Sequence, residues 1–506
     1  MSVSSKLTTL SAAGAGGAPS AWVYEYGDNN VKEKSLQSHD MCSLWVNNTY
    51  GGVMGLHQDG VTVDANKAGR PAVAHILNED GATQLVKILK HQNFSTNTLY
   101  QIGGCCLGDD GRFWAHLQYK HDPGTYGRMP VIAHFDSSGS ISWAKQLGFP
   151  TTSNDNVLNM TLDPDNNIVH TCHRAAGLSI GLGAITRFNS NGTYPWEGAY
   201  PNQNNNYQTF NDVMYNSVDG KYYFCGNTNT KSPEAAIFGK FTSGTSSPSQ
   251  GSPASDWNFT VEGAYVLRFH QMAHDSNGDI FVVGTLYGSP YWTVLFKFNS
   301  DMTVVAQKRI YAATTTDMLR SNVHITVDSN DNVIIAAEHN YSTASDRIGG
   351  SSTNNYDTVI MSFSNDLSTR NWHSVFGSER YSLRLGTGFQ GGTEGKRLMA
   401  DNNGSFYICG GKQQLLSGAT YYRFFIAKLP ADGSLIDSVQ VGPSSDEYKW
   451  VTSTATRNFN NYTDSGTDTT SVLLKTNTFN YTQDSSINSN FAPVDETATD
   501  QITYTI

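Results

Sequence analysis

The chain has 506 residues, 15% of them charged, with 33 Lys and Arg against 44 Asp and Glu for a formal charge of −11. So few charges with an acidic balance argue against a nucleic-acid binder, which needs a basic face to neutralise phosphates. Apolar residues at 38% and aromatics at 11% allow a large core, and no apolar run approaches the ~20 residues of a membrane-spanning helix.

Met1 to Ala21 holds one lysine, Lys6, followed by LTTLSAAGAGGAPSA. A secretory signal needs an apolar stretch of about 7–15 residues, and this one is Thr, Ser, Gly and Ala with two leucines. No signal peptide is expected, so sequons at Asn93, Asn159, Asn191, Asn258 and Asn340 carry no weight. Residues 1–24 read as a docking arm too small and polar to fold alone.

From residue 25 to 448 a short pattern recurs: a small or apolar residue, a polar or basic one, a large apolar one, then a polar turn. The copies are Ala74-His75-Ile76, Ala133-His134-Phe135, Thr186-Arg187-Phe188, Gly239-Lys240-Phe241, Phe296-Lys297-Phe298, Met361-Ser362-Phe363 and Ala427-Lys428-Leu429. Their turns are NEDG (78–81), DSSG (136–139), NSNG (189–192), TSG (242–244), NSDM (299–302), SNDL (364–367) and ADG (431–433). The large apolar positions stand at 76, 135, 188, 241, 298, 363 and 429, a near-regular spacing that marks an internal repeat.

Upstream of each copy an Asp/Asn/Gly turn leads into a β-rich run that usually closes on a small residue. The clearest case runs from Asp275 through Gly278 to Gly284. Asp401 to Gly410 and Asp219 to Gly226 match it. Asp328 to Ala337 and Asp163 to Cys172 are looser, and Asp110 to His116 and Asn47 to Gly55 weaker still. Asn-Gly and Asp-Gly tolerate the positive φ of tight hairpins, and the runs after them read as strands buried on both faces. No window of about 12 or more residues has a helical period. Each unit of about 59 residues holds four strands, and one such sheet buries both faces only within a ring.

The predicted fold is all-β, a seven-bladed β-propeller with a short N-terminal arm and an extended β-rich C-terminal tail. A misread first copy would make the blades six or eight. Solenoid rungs are shorter than this repeat, and two β-sandwiches would leave the sevenfold register unexplained. Residues 449–506 form the tail, and Thr, Ser, Asn and Asp supply more than half of the stretch from Val451 to Ile506. Apolar residues alternate there, as in Phe479-Asn-Tyr481 and Ile502-Thr-Tyr504-Thr-Ile506, which fits half-buried strands ordered against the propeller or a neighbouring subunit. A closing strand supplied from this end to the first blade is one specific expectation.

The candidates for chemistry are few. The six cysteines, Cys42, Cys105, Cys106, Cys172, Cys225 and Cys409, contain no CxxC pair. Cys225 and Cys409 occupy the place of Val283 and Ala336 in sister units and read as small core residues. His270 and His274 are four apart, but the HExxH glutamate is missing, and in a strand that spacing is ~13 Å. His170, Cys172 and His173 lie within a repeat strand. The turns beginning at Asp163, Asp275 and Asp328 resemble half a calcium loop, but lack its glycine at six and glutamate at twelve. Glu197, Glu262 and Glu338 are not paired as glycosidase carboxylates would be. No catalytic residue, metal ligand or cofactor is expected. Segment 194–207 mixes aromatic faces with side-chain amides and segment 287–292 is similarly aromatic, a chemistry suited to sugars or protein partners. Their candidate contact residues are Tyr194, Trp196, Tyr200, Tyr207, Tyr287, Tyr291 and Trp292.

The leader MSVSSKLTTLSAAGAGG, the units of the form D-x-N-G-D-I-F-V-V-G followed by F-K-F-N, and the ending ITYTI together resemble structural tail- or fibre-type β-propeller proteins of marine tailed phages, especially cyanophages. The resemblance lies in the order of parts over the whole chain. Members commonly carry a Trp-Gln pair after the Lys-Phe turn. Trp143-Ala-Lys-Gln146 keeps a version, while Trp196, Trp257 and Trp372 keep the tryptophan alone. The resemblance implies a virion structural protein of the tail or an attached fibre, not an enzyme. Its propeller would be a rigid platform for assembly or host-surface attachment. Expected partners are other virion proteins held through the arm, symmetric copies of the chain, and a host-surface glycan, with no nucleic acid or membrane insertion. The alternatives are a lectin-like propeller and a polysaccharide-degrading one.

Overall fold

In a computed structural model the described residues are 6–10, 21–26, 42–47, 50–56, 72–79, 81, 83–89, 97–121, 128–146, 156–175, 181–193, 196–200, 208–229, 233–242, 257–263, 265–287, 292–312, 318–340, 356–377, 382–385, 395–416, 419–434, 439–441, 448–452, 462–465, 472–473 and 494–495. They form strands and turns with no helix among them. Strands β1 (Lys6–Leu10) and β2 (Ala21–Tyr26) come first and belong to the last sheet.

Sheet 1 holds β3 (Cys42–Val46), β4 (Tyr50–Leu56), β5 (Ala72–Asn78) and β6 (Thr83–Leu89). Sheet 2 holds β7 (Asn97–Leu107), β8 (Phe113–His121), β9 (Arg128–Phe135) and β10 (Ile141–Gln146). Sheet 3 is β11 (Asn156–Leu162), β12 (Ile168–Ala175), β13 (Gly181–Phe188) and β14 (Trp196–Tyr200). Sheet 4 is β15 (Gln208–Asn216), β16 (Lys221–Thr228), β17 (Ala235–Thr242) and β18 (Trp257–Gly263). Sheet 5 is β19 (Val266–His274), β20 (Ile280–Tyr287), β21 (Trp292–Phe298) and β22 (Val304–Ala312). Sheet 6 is β23 (Met318–Val327), β24 (Val333–Asn340), β25 (Tyr356–Phe363) and β26 (Arg370–Gly377). Sheet 7 joins β27 (Ser382–Arg384) and β28 (Leu398–Ala400) to β29 (Ser405–Leu416), β30 (Ala419–Pro430), β2 and β1. All pairing is antiparallel. The innermost strands β3, β7, β11, β15, β19, β23 and β28 lie side by side in that order, and β28 meets β3. This closed ring of sheets is a β-propeller.

The two sequence patterns are the second and third strands of each sheet. Asp163, Asp275, Asp328 and Asp401 each use Oδ1 to accept the amides two and four residues on, which shapes the turn between strands one and two. Their carboxylates are committed to hairpins, so the half calcium loops are turns. The repeated basic residue of the third strand faces the same carboxylates: Arg187 lies 3.9 Å from Asp163, Lys297 3.6 Å from Asp275 and Lys428 3.6 Å from Asp401. In sheets 4 and 5 the small residue of the second strand answers a bulge in the innermost strand. The bulge beside Phe210 presses the Thr209 carbonyl into the space that a Cβ on Gly226 would take. The Arg268 carbonyl does the same to Gly284.

Five cysteines, Cys105, Cys106, Cys172, Cys225 and Cys409, are buried and unpaired by disulfides. Cys225 and Cys409 face Phe238 and Ile426, as Val283 faces Leu295 and Ala336 faces Ile360.

Tryptophan explains how sheets lock. Trp22, Trp143 and Trp372 sit on fourth strands, opposite the polar residue of the third-strand motif. Their indole nitrogens donate to Glu79, Ser190 and Ala431 carbonyls, at 3.0, 3.0 and 3.1 Å, in the next sheet's outer turn. A Cβ at Gly192 would lie 2.8 Å from the Trp143 ring, and one at Gly433 2.6 Å from the Trp372 ring. In sheet 5 that register position is Ala306, opposite Lys297, and the next turn fills the space with buried Leu367, held at φ 59°.

Two expectations are corrected. The boundary at residue 24 falls inside a strand: β2 pairs with β30, and Ala21, Trp22, Val23 and Tyr24 are buried. Closure also runs the other way. The N-terminal β2 completes the last sheet, whereas among the described residues no C-terminal strand joins the first. A fourth strand for sheet 7 must come from outside residues 382–430, and β2 supplies the apolar faces that sheet lacks. The C-terminal segment instead lays strands on outer edges: β32 (Tyr448–Thr452), itself paired with β31 (Val439–Val441), on β26; β33 (Tyr462–Ser465) on β22; β34 (Val472–Leu473) on β18; β35 (Val494–Asp495) on β10.

Candidate functional site

Two places concentrate polar groups, the propeller axis and one end of sheet 5. At the axis, bulges in β7, β11, β15, β19 and β23 break the ladder at mid-strand. A bulge re-aims a side chain, and here the re-aimed groups stitch neighbouring sheets. Asn159 donates to Asp212 Oδ1 at 2.6 Å, Asp212 Oδ2 accepts the Met272 amide at 2.8 Å, and Asn211 donates to the Phe269 carbonyl at 2.6 Å. Burial pushes the Asp212 carboxyl up to about 6, against the pull of Lys396 and these donors.

Main chain from Gly395 to Arg397 bridges several sheets. Gly395 donates its amide to Leu158 in sheet 3 at 3.1 Å and accepts from Gln271 Nε2 in sheet 5 at 2.8 Å. The Lys396 carbonyl accepts from Leu44 in sheet 1 at 2.6 Å, and the Arg397 carbonyl from Cys409 at 3.0 Å. Gly395 has φ +74°, and a Cβ on it would lie 2.7 Å from Ser43 Oγ and 2.9 Å from the Gly103 carbonyl. Only glycine fits that approach.

The buried histidines are packing groups. His116 and His170 meet edge to face at 4.6 Å between sheets 2 and 3. His270 bonds Thr285 at 2.9 Å while His274 meets the Asp275 carbonyl at 3.0 Å, so this pair does not converge. Burial pushes His116 and His270 down to about 3, and His134 to about 4. Among the described residues no three His, Cys, Asp or Glu side chains converge as metal ligands. Glu197, Glu262 and Glu338 lie on strands β14, β18 and β24, none of them innermost.

At the end of sheet 5, Tyr287 closes β20 and Trp292 opens β21. The Arg268 guanidinium lies 5.0 Å above the Tyr287 ring, Arg309 5.0 Å above Trp292, and Tyr265, 43% exposed, sits 5.5 Å from Trp292. Arg268 is itself held by both Glu234 carboxylate oxygens, at 3.0 and 2.9 Å. Aromatic rings flanked by fixed cations form a half-exposed ledge. Aromatics flanking a short connection gave Tyr287 and Trp292 in sequence. Their partners Tyr265, Arg268, Arg309 and Glu234 come from other strands and turns and have no local signature.

Tyr194, Tyr207 and Tyr291 lie outside the described residues. Trp196 and Tyr200 are on β14 in sheet 3, separated from sheet 5 by sheet 4, and ~13 Å apart along one strand. Trp196 pairs with Arg187, the register of Trp22, Trp143 and Trp372. Trp257 holds the same register opposite Lys240.

No family model matches the chain, and no curated protein matches it. Solved structures similar to it include an endosialidase of phage phi92, at 9% identity over 88% of this chain and 72% of that one, with a TM-score of 0.38. The tail fibre of a Staphylococcus aureus phage aligns at 6% identity over 73% and 95%, with a TM-score of 0.17. A neuraminidase-like protein of a flat-faced bat isolate from Peru aligns at 10% over 81% and 94%, with a TM-score of 0.36. At these scores the likenesses carry no argument about activity.

Proposed function

We propose that this chain is a structural part of a tailed-phage particle, in the tail or an attached fibre, in which a seven-bladed propeller is a rigid, non-catalytic platform for assembly or host attachment. The observation that carries the platform reading is the axial main chain, Gly395 to Arg397, hydrogen-bonded to sheets 1, 3, 5 and 7. It ties together blades that are distant in sequence. The particle assignment rests on the sequence resemblance, with the leader acting as the docking arm beyond β2. The decisive experiment is imaging of purified particles together with deletion of residues 1–20. The propeller should fold, since β2 is kept, and be absent from particles; incorporation at normal copy number would defeat the docking role.

The Tyr265–Trp292–Arg309 ledge favours a second reading, contact with a host-surface glycan. Aromatic faces stack on sugar rings while fixed guanidinium groups hydrogen-bond hydroxyls or carboxylates. Trp292→Ala should lower binding to host polysaccharide about tenfold or more without unfolding the chain. Turnover of that polysaccharide by the purified protein would replace both readings with an enzyme.

A further inference from the structure

The segment that crosses the axis brings two adjacent cations with it, Lys396 and Arg397. Lys396 acts on the Asp212 carboxyl. Arg397 has no such counterpart. It is 4% exposed, its Nη1 is sealed from solvent with no acceptor, and among the described residues no carboxylate pairs with its guanidinium. The groups beside it are polar and neutral. Arg397 leads into β28, and β28 lies against β23, where Thr326 Oγ1 accepts the Ala400 amide at 2.9 Å. Thr326 and His324 pair with Ile334 and Ala336 in unbroken register, so both side chains look the same way, toward sheet 7. His324 is 1% exposed, and its Nδ1 also lacks a partner. Burial, then the Arg397 guanidinium and then His270, hold it well below the usual histidine range, so it is uncharged at neutral pH.

A guanidinium cannot shed its proton, unlike lysine or histidine, and an unpaired charge out of water is among the most costly groups a fold can bury. Nor can the backbone carry it elsewhere. Gly395 is bonded to Leu158 and Gln271, Lys396 to Leu44 and Arg397 to Cys409. A neutral imidazole solvates the charge without cancelling it. We infer that Arg397 and His324 hold a small inorganic anion, chloride in ordinary buffers, between sheets 6 and 7. The planar fork of Arg397 donates to the ion and neutralises it, and His324 Nδ1 supplies a second donor. Two residues this deeply enclosed suit one small ion and exclude an acidic polymer. The ion ties the innermost strand of sheet 7 to sheet 6, on the opposite flank from the Trp22 lock between sheets 7 and 1.

Urea titration of the full chain at constant ionic strength tests this, with sodium gluconate exchanged stepwise for sodium chloride, since gluconate is too large to enter. A ligand held by the folded chain alone raises the folding equilibrium in proportion to its concentration above its Kd. Each tenfold rise in chloride should therefore raise the folded-to-unfolded ratio about three- to tenfold. Arg397→Met, which keeps the bulk and removes the charge, should abolish that response. A midpoint indifferent to chloride, or an equal response in Arg397→Met, would overturn the proposal. Should Arg397→Met not fold, crystals of the unaltered chain grown in sodium bromide decide the matter. An anomalous bromine peak within hydrogen-bond reach of the Arg397 guanidinium upholds the anion, and a water or a carboxylate of the chain in that place overturns it.

Discussion

Ring closure rests on β2, and Trp22 is its most consequential side chain. It is fully buried, donates to the Glu79 carbonyl at 3.0 Å across the seam between sheets 7 and 1, and meets Tyr407 edge-on at 5.8 Å. Trp22→Phe keeps an aromatic ring but deletes the donor. Losing a hydrogen bond to a half-buried carbonyl costs about 1 kcal/mol. The missing ring leaves a space of roughly 40 Å³, which at ~24 cal/mol per Å³ costs about 1 kcal/mol more. The sum, about 2 kcal/mol, should lower the urea midpoint measured by near-ultraviolet circular dichroism, with the slope unchanged. The loss should also be local: amide exchange in Ala21–Tyr26 should accelerate before that of sheets 3 to 5. Trp143→Phe, which removes the same bond between covalently consecutive sheets, should cost about as much but leave β2 protected. A loss for Trp22→Phe no larger than that of an ordinary surface substitution, about 0.5 kcal/mol, would refute the closure argument, as would unchanged β2 exchange.

Acid should destabilise the fold. His116 and His270 stay neutral in the folded chain to about pH 3 and His134 to about pH 4, whereas unfolded histidine takes its proton near 6.5. The unfolded state therefore binds more protons below pH 6.5, and stability complete at pH 7 falls as pH drops. Asp212, held up to about 6, works in the opposite sense over the same window but is one group against these three and His324, which burial also pushes well down. With His134 discounted for solvent screening, a net loss of roughly 3 kcal/mol between about pH 7 and 5 should appear in urea titrations, and a flat profile would contradict it. Gly395→Ala forces a Cβ against Ser43 and the Gly103 carbonyl at positive φ, and should cost roughly 3 kcal/mol in the same assay. Leu367→Gly relieves a strained φ worth about 1 kcal/mol but exposes a cavity beside Ala306, costing about 2–3 kcal/mol. It should therefore destabilise by about 1–2 kcal/mol, and a more stable variant would contradict the space-filling role of Leu367.

Much of the fold is legible from residue order because its causes are local. Asp275-Ser-Asn-Gly278 turns the chain wherever it stands, since its own side chain caps its own amides, and the apolar run after it can only be a strand buried on both faces. Repetition of that unit announces a ring of sheets. At Trp196 residue order reads as a recognition surface beside Tyr194 and Tyr200, while only the folded sheet sets its backbone opposite Arg187, in the register of Trp143 and Trp372. The sheet 5 ledge shows the complement, with Tyr287 and Trp292 visible in sequence and Arg268, Arg309 and Glu234 brought to them from elsewhere in the chain. Closure and the axial segment depend on which edge is left unpaired and which backbone fits the remaining space. Trp22 meets Lys428, and Gly395 meets Leu158 and Gln271, across separations that no periodicity encodes. Strands and turns follow from the chain's own neighbours, whereas the partner of an open edge is chosen by everything already folded around it.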